Sequence, residues 1–206
     1  MVFYFKCSDP RFIIFMGRDK FENEQLLKFA FPEDLWFHVN SLSSAHVYLR
    51  PVDLRNSPEI PEIVFAEISQ LVKHNSIEGC KANTVDVVYC KYLNLLKRKD
   101  MEPGAVSYIS EKENKYIRDV RLNKEILKRI EKTREERDVD LKALREDRDR
   151  EEAKWKAAEK KISAAREKND QIQKEKNDVN YVDFQKNKLL LQSNKTTNEH
   201  LEDDFM

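Results

Sequence analysis

The stretch Leu35–Arg50, LWFHVNSLSSAHVYLR, concentrates side chains that can do chemistry. His38 and His46 are two of the chain's four histidines, and Asp34, Trp36, Ser43, Ser44, Tyr48 and Arg50 lie close by in sequence. Such a set permits three things. A serine activated by a histidine could attack a carbonyl, two histidines could begin a metal site, or rings and cations could meet the bases and phosphates of a nucleic acid. The first two lack their companions. There is no G-x-S-x-G elbow to present a nucleophile. The chain has only Gly17, Gly79 and Gly104, too few for a phosphate loop or a dinucleotide fingerprint. A third metal ligand at a recognisable spacing is missing. The expectation is therefore no enzyme, no metal and no cofactor.

The third possibility has more behind it. Leu35, Phe37 and Val39 alternate with Trp36, His38 and Asn40, and Ala45, Val47 and Leu49 with His46, Tyr48 and Arg50. That is the period of two paired strands, each with one apolar and one polar face. Arg18 and Lys20 follow a strand and open a helix, where backbone N–H groups favour anions. Asn23, His46 and Arg50 add donors, and Lys97-Arg98-Lys99 forms a second small basic group. The competing reading is structural: Trp36, Tyr48 and His46 could cover the second face of a sheet beneath a helix.

The elements that must position these residues are legible. Val2–Cys7 and Phe12–Gly17 flank Ser8-Asp9-Pro10-Arg11 as strand, turn and strand. An amphipathic helix follows, capped by Asp19 and closed by Pro32, with Phe21, Leu26, Leu27 and Ala30 as its apolar stripe. After the strand pair of Leu35–Arg50, a helix opens at Ser57 or Pro58 and carries Val64, Ile68, Leu71 and Val72 at helical spacing. Val85–Cys90 and Ala105–Ser110 read as strands, and Lys115–Val120 as an edge strand. The fold class is α+β: a mostly antiparallel sheet with helices packed on one side.

From about Leu122 to Lys176 there is neither Gly nor Pro, and the composition turns to Lys, Arg, Glu, Asp, Ala and Gln. Acid-first pairs four apart, such as Glu152–Lys156, support a helix. The apolar positions start a heptad at Leu122, Ile126 and Ile130 and lose it at Arg137, so a weak coiled coil is the most the pattern supports. The expected divisions are an α+β domain over 1–120, a long charged helix over 121–177 and a disordered acidic tail over 178–206. Their net charges are −1 over residues 1–119, +4 over 120–176 and −3 over 177–206, so nucleic-acid binding requires a local patch. Three cysteines without C-x-x-C spacing argue against a disulfide framework or a zinc ribbon. No secretory signal and no apolar run of about 20 residues is present, so the expected address is cytoplasmic, with the nucleus as alternative and membranes reached only through a partner.

Met16-Gly-Arg-Asp-Lys-Phe-Glu-Asn-Glu-Gln-Leu-Leu27, Asp34-Leu-Trp-Phe-His-Val39, Ser43-Ser-Ala-His-Val-Tyr-Leu-Arg50, Val85-Asp-Val-Val-Tyr-Cys90 and Pro103-Gly-Ala-Val106 resemble, in order and spacing, the NFACT-R domain of ribosome quality-control factors. The layout with a charged helix resembles its standalone group, the coiled-coil domain-containing protein 25 family. The resemblance covers residues 1–120 and the helix; Cys90 stands where relatives often have Thr. It implies binding of RNA, either tRNA or ribosomal RNA, linked to translation quality control. It implies that Arg18, Asn23, His38, Ser43, Ser44, His46 and Arg50 are the polar residues involved, and Lys20 joins them from its position. Tail synthesis is not implied, because the other modules of the larger factors are missing. The alternatives are a DNA-binding or DNA-sensing protein, since phosphate contacts carry no sugar preference, and an adaptor that meets a protein partner through the 121–177 helix.

Overall fold

The computed structural model describes residues 1–56 and 58–202. Strands β1 (Val2–Lys6) and β2 (Phe12–Gly17) pair antiparallel around the Asp9-Pro10 turn. β3 (Leu35–Val39) and β4 (Val47–Pro51) place Trp36 opposite Tyr48. β5 (Thr84–Lys91) lies beside β3. Two short strands, β6 (Leu95–Leu96) and β7 (Ser107–Tyr108), form a separate ribbon, so the strand expected over Ala105–Ser110 shrinks to two residues. β8 (Lys115–Arg121) takes the edge beside β5, as the sequence implies. With β9 (Glu135–Arg137), the antiparallel main sheet runs β8-β5-β3-β4-β2-β1-β9.

The alternation of these strands buries both faces. One face carries Phe37, Val39, Val47 and Leu49 against α2 (Glu62–His74), whose Val64, Ile68, Leu71 and Val72 are the expected stripe. α2 starts at Glu62, after Pro61, with no side-chain cap; Ser57, one of the two expected starts, lies outside the described residues. α3 (Lys124–Glu131) joins the same face through Ile130. The other face carries Phe15, Trp36, Tyr48, Val88 and Cys90 beneath α1 (Lys20–Phe29), which contributes Leu26. Helices thus cover both sides of the sheet rather than one. Trp36 and Tyr48 are 1% and 0% exposed, and Tyr48 stacks on Phe15 at 5.2 Å. A sheet with apolar groups on both faces needs two covers, because water cannot solvate either layer favourably.

The long charged C-terminal helix is present as expected, but it does not begin at residue 121. The segment from there divides into α3, β9 and α4 (Leu141–Glu202). α3 is capped by Asn123, whose Oδ1 accepts from the amides of Glu125 and Ile126. At its far end Thr133 Oγ1 donates to the Ile130 carbonyl at 2.7 Å and accepts from the Lys6 amide at 3.0 Å. The chain then runs along β1, with Val2 opposite Arg137 and Tyr4 opposite Glu135. An edge of β1 left bare exposes its backbone groups, and β9 supplies their partners. Helix-forming residues are overridden here by a long-range pairing. Of the acid-first pairs, Glu152 meets Lys156 at 2.6 Å, whereas in the pair Glu125–Arg129 the arginine turns to the buried Glu67 at 2.7 Å.

Two units are distinguished, Met1–Arg148 and Asp149–Met206. In the first, the opening turns of α4 are fixed by Arg145 donating to the Ala30 carbonyl and by Arg148 pairing with Glu33. In the second, α4 continues to Glu202, and Ile162, Tyr181 and Phe184 are exposed. Asp203–Met206, the end of the expected tail, lie outside the described residues.

Asp34 is fully buried and Arg50 nearly so. Arg50 Nε donates to Asp34 Oδ1 at 2.7 Å and the terminal nitrogen to Oδ2 at 2.6 Å. Breaking such a pair leaves a buried charge unmatched, at a cost of about 3–5 kcal/mol. Arg50→Ala is expected to lower the unfolding free energy by that much, read as a lower urea midpoint without a change of slope, and Arg50→Lys, which keeps the charge but not the two-pronged geometry, by less. An unchanged midpoint in Arg50→Ala would contradict the assignment.

Candidate nucleic-acid interface

One end of the second sheet face stays open. Between the end of β2, the start of α1 and the β3–β4 connection lies a cleft of about 940 Å³. Arg18, Lys20, Asn23, His38, Ser43, Ser44 and His46 all line it. These seven, scattered over 29 positions, are brought together by the β2–β4–β3 order of the sheet. Arg50 is not among them. Its guanidinium is closed between Asp34 and the ring of Phe31, 3.4 Å from the ring centroid, and it holds the chain before β3 instead of a ligand. The expectation of a phosphate contact there is corrected. Arg134 and Gly104, which the residue types did not single out, line the cleft too. Arg134 was hidden in the charged run and becomes visible only once β9 is known; it lies over the Phe3 ring at 3.8 Å.

Each wall has a local cause. Asp19 caps α1 by accepting from the amides of Phe21 and Glu22 at 2.9 and 3.0 Å. Those donors are therefore satisfied, and the anion attraction expected from the helix start falls to the side chains. Arg18 is half exposed and only loosely paired with Asp19 at 3.6 Å. Among the described residues, neither Lys20 nor Arg134 has a carboxylate within ion-pair distance. Gly17 faces the Asn23 amide so closely that a Cβ would stand 2.5 Å from Asn23 Oδ1. The facing wall, Pro103-Gly104-Ala105, is clipped to α1: Glu24 Oε1 accepts from the Gly104 amide and from Lys97 Nζ, both at 2.7 Å. Lys97 Nζ also donates to the carbonyls of Glu102 and Ala105. Lys97 is thus a structural clip and is unavailable as the phosphate contact its basic neighbourhood suggested. Burial pushes the Glu24 carboxyl up, but the Gly104 amide and Lys97 outweigh it and hold the group below its ordinary value.

The floor is aromatic and uncharged. His38 stacks on Trp36 at 5.3 Å, and His46 meets His38 edge to face at 5.1 Å. Loss of water pulls His46 down to about 3, and the neighbouring His38 adds to this. Burial lowers His38 as well, against the pull of the Val39 and Ser44 backbone. Both rings are neutral at physiological pH, so they act as hydrogen-bonding groups and not as cations. His38 Nδ1 lies 2.8 Å from the Val39 carbonyl. Ser44 Oγ accepts from the Val39 amide and donates to the Ala45 carbonyl, a backbone brace and not an activated nucleophile. Among the described residues no group of three or more His, Cys, Asp or Glu could hold a metal ion. The arrangement suits non-catalytic recognition, with cations at the mouth and neutral donors and acceptors below.

The model of the NFACT protein RNA binding domain family matches residues 1–110. The chain is similar to the coiled-coil domain-containing protein 25 homolog of Dictyostelium discoideum, with 55% identity over 152 residues and 74% of each chain covered. It is similar to the Rqc2 homolog RqcH of Streptococcus pneumoniae at 30% identity over 107 residues, 52% of this chain but 18% of that protein. The solved C-terminal part of the fibronectin/fibrinogen-binding protein from Streptococcus suis shares the fold with a TM-score of 0.52 and 25% identity, over 62% of this chain and 48% of that one.

These likenesses correct two expectations. The extensive match is to the coiled-coil domain-containing protein 25 group, and the ribosome quality-control relative shares less than a fifth of its length. The reading as an RNA-binding, ribosome-associated factor of translation quality control is therefore overturned. The same kinship argues against a purely cytoplasmic or nuclear address. Among the described residues no helix is long and apolar enough to cross a membrane. The motifs quoted from the sequence, the match over residues 1–110 and the shared length agree: the chain belongs to the NFACT-R domain family, in its coiled-coil domain-containing protein 25 group.

Proposed function

We propose that this protein is a non-enzymatic DNA-binding module that holds the phosphate backbone at the mouth of the cleft. The observation that carries the reading is the convergence of Arg18, Lys20 and Arg134 at one cleft whose floor offers neutral hydrogen-bonding groups. Cations of this kind neutralise phosphates and release counterions, which gives sequence-independent affinity. The family model's description, a domain that binds RNA, supports a nucleic-acid partner in the broad sense. Phosphate contacts do not depend on the sugar and so admit DNA as readily as RNA; DNA is favoured because the ribosomal link has fallen away. A second reading, an adaptor, draws on Ile162, Ile172, Tyr181 and Phe184, apolar side chains that α4 leaves exposed and that a protein partner could cover.

Fluorescence anisotropy with a labelled duplex tests the first reading. With three phosphate contacts, affinity is expected to fall roughly 40-fold between about 50 and 200 mM salt. Arg18→Ala with Lys20→Ala is expected to weaken binding and to flatten the salt dependence by about two contacts. Absence of binding at the lower salt sinks the reading and leaves the adaptor. Tighter binding of tRNA than of the duplex would also count against DNA.

The neutral histidines give a pH expectation. His46 is depressed to about 3 in the fold, so its contribution to stability is complete above about pH 6.5, the ordinary histidine value. It is lost as pH falls from there toward 3, because the unfolded chain binds the proton first. Thermal midpoints are expected to decline over that window and less so in His46→Asn. DNA affinity is expected to show no histidine step between pH 6.5 and 8; a step abolished by His46→Asn would mean a charged ring.

A further inference from the structure

The floor of the cleft holds two polar atoms that the protein leaves unanswered. Asn23 and His46 are 8% and 3% exposed, and neither Asn23 Oδ1 nor His46 Nδ1 has a hydrogen-bond partner. Both residues line the cleft. The chemistry of each atom is defined. A neutral imidazole carries its proton on one nitrogen and keeps a lone pair on the other; with the proton on Nε2, the buried and unpartnered Nδ1 of His46 is an acceptor. Asn23 Oδ1 is an acceptor by nature and is pressed against Gly17, where no side chain could stand between them. Buried acceptors without donors cost about 1–3 kcal/mol each, so each calls for a donor that the protein itself does not supply.

Phosphate cannot answer them, because at neutral pH its oxygens only accept. Whatever fills the floor brings N–H groups, while whatever sits at Arg18 and Lys20 brings negative charge. A nucleotide has both. We propose that the cleft receives one unpaired nucleotide of a DNA strand, its phosphate at Arg18 and Lys20 and its exocyclic amino group donating to Asn23 Oδ1 and His46 Nδ1. Adenine, cytosine and guanine carry such an amine, with two N–H bonds for two acceptors; thymine has none. The space of about 940 Å³ is within the range of sites that enclose small molecules. A paired base keeps its amine in the duplex, so the base that enters is terminal or extruded. The inference rests on the DNA-binding reading and adds to it a preference for strand ends and for amine-bearing bases.

The test uses the full-length protein and DNA hairpins that are blunt or carry a short single-stranded overhang of deoxyadenosine, deoxycytidine, thymidine or abasic sites, at about 50 mM salt. Adenine and cytosine overhangs are expected to bind about 3- to 10-fold tighter than thymine or abasic ones. The readout is the ratio of overhang to blunt affinity within each variant. His46→Phe, which keeps a ring but no acceptor, and Asn23→Leu are expected to bring that ratio to one, and His46→Asn, which restores an acceptor, to recover part of it. Circular dichroism checks that each variant is folded; if Asn23→Leu is not, the two His46 variants decide. Equal binding of all overhangs and the blunt hairpin overturns the base site and leaves the DNA-binding reading intact. Adenine and thymine overhangs bound alike, but tighter than blunt, also overturn it, because the amine then plays no part. No binding of any hairpin overturns both.

Discussion

The ion pair between Asp34 and Arg50 sets the geometry on which the second face of the sheet depends. Asp34 leads into β3 and Arg50 lies in β4, so the pair fixes the chain between α1 and β3 to the sheet. The Phe31 amide donates to the same carboxylate, and the Asp34 carbonyl accepts from Tyr92, whose hydroxyl donates to Leu27 near the end of α1. Burial of the Asp34 carboxyl pushes it up, and Arg50 and the Phe31 amide oppose that push. A buried pair of this kind adds little net stability over an apolar substitute, but it permits one arrangement and penalises the others. With α1 held at its C-terminal end in this way, its N-terminal end comes to lie beside the β3–β4 connection, where the cleft forms.

The cleft divides its labour between charge and neutrality. The cations stand at the mouth, where water still solvates them and an incoming anion exchanges one set of partners for another at small cost. The floor is too dry to hold a charge, as the depressed histidines record. Trp36 lies below them as packing, and the aromatic density that could be mistaken for a stacking platform is the top of a core. The clip of Glu24, Lys97 and Gly104 closes the remaining wall, and Gly104 adopts φ +86, a backbone region that side chains disfavour. The wall is thus specified by one carboxylate on α1 and by an ammonium group and a glycine 73 and 80 positions further on.

The same framework explains why membership of the family does not carry the ribosomal role with it. What this chain shares with the Rqc2 homolog is 107 residues, 52% of this chain and 18% of that protein. β9 and α4 lie outside residues 1–110, the span that the family model matches, and the turn into β9 brings Arg134 to the cleft. A fold common to several proteins can therefore present a different set of cations at the same opening.

β1 to β5, β8, the first two helices and five of the polar residues that meet in the cleft were legible from residue types and pattern, because period-two and period-3.6 repeats and Asx caps are local signals. The family motifs added Ser43 and Ser44, which no periodicity would have chosen. Other features came only with the tertiary structure. Arg50 has the residue type of a phosphate contact, yet its partner Asp34 lies 16 positions away, and only folding shows that the two cancel. Lys97 looked like part of a basic loop until Glu24, 73 positions away, was found beside it. The run from Val120 has the composition of one helix throughout, and nothing local in Glu135–Arg137 reveals that the open edge of β1 will claim it as a strand. Local propensity decides an element when nothing distant competes. Where a buried charge needs a counter-charge or a bare strand edge needs hydrogen bonds, the distant partner outweighs it, because leaving such groups unsatisfied costs more than the propensity of a few residues can return.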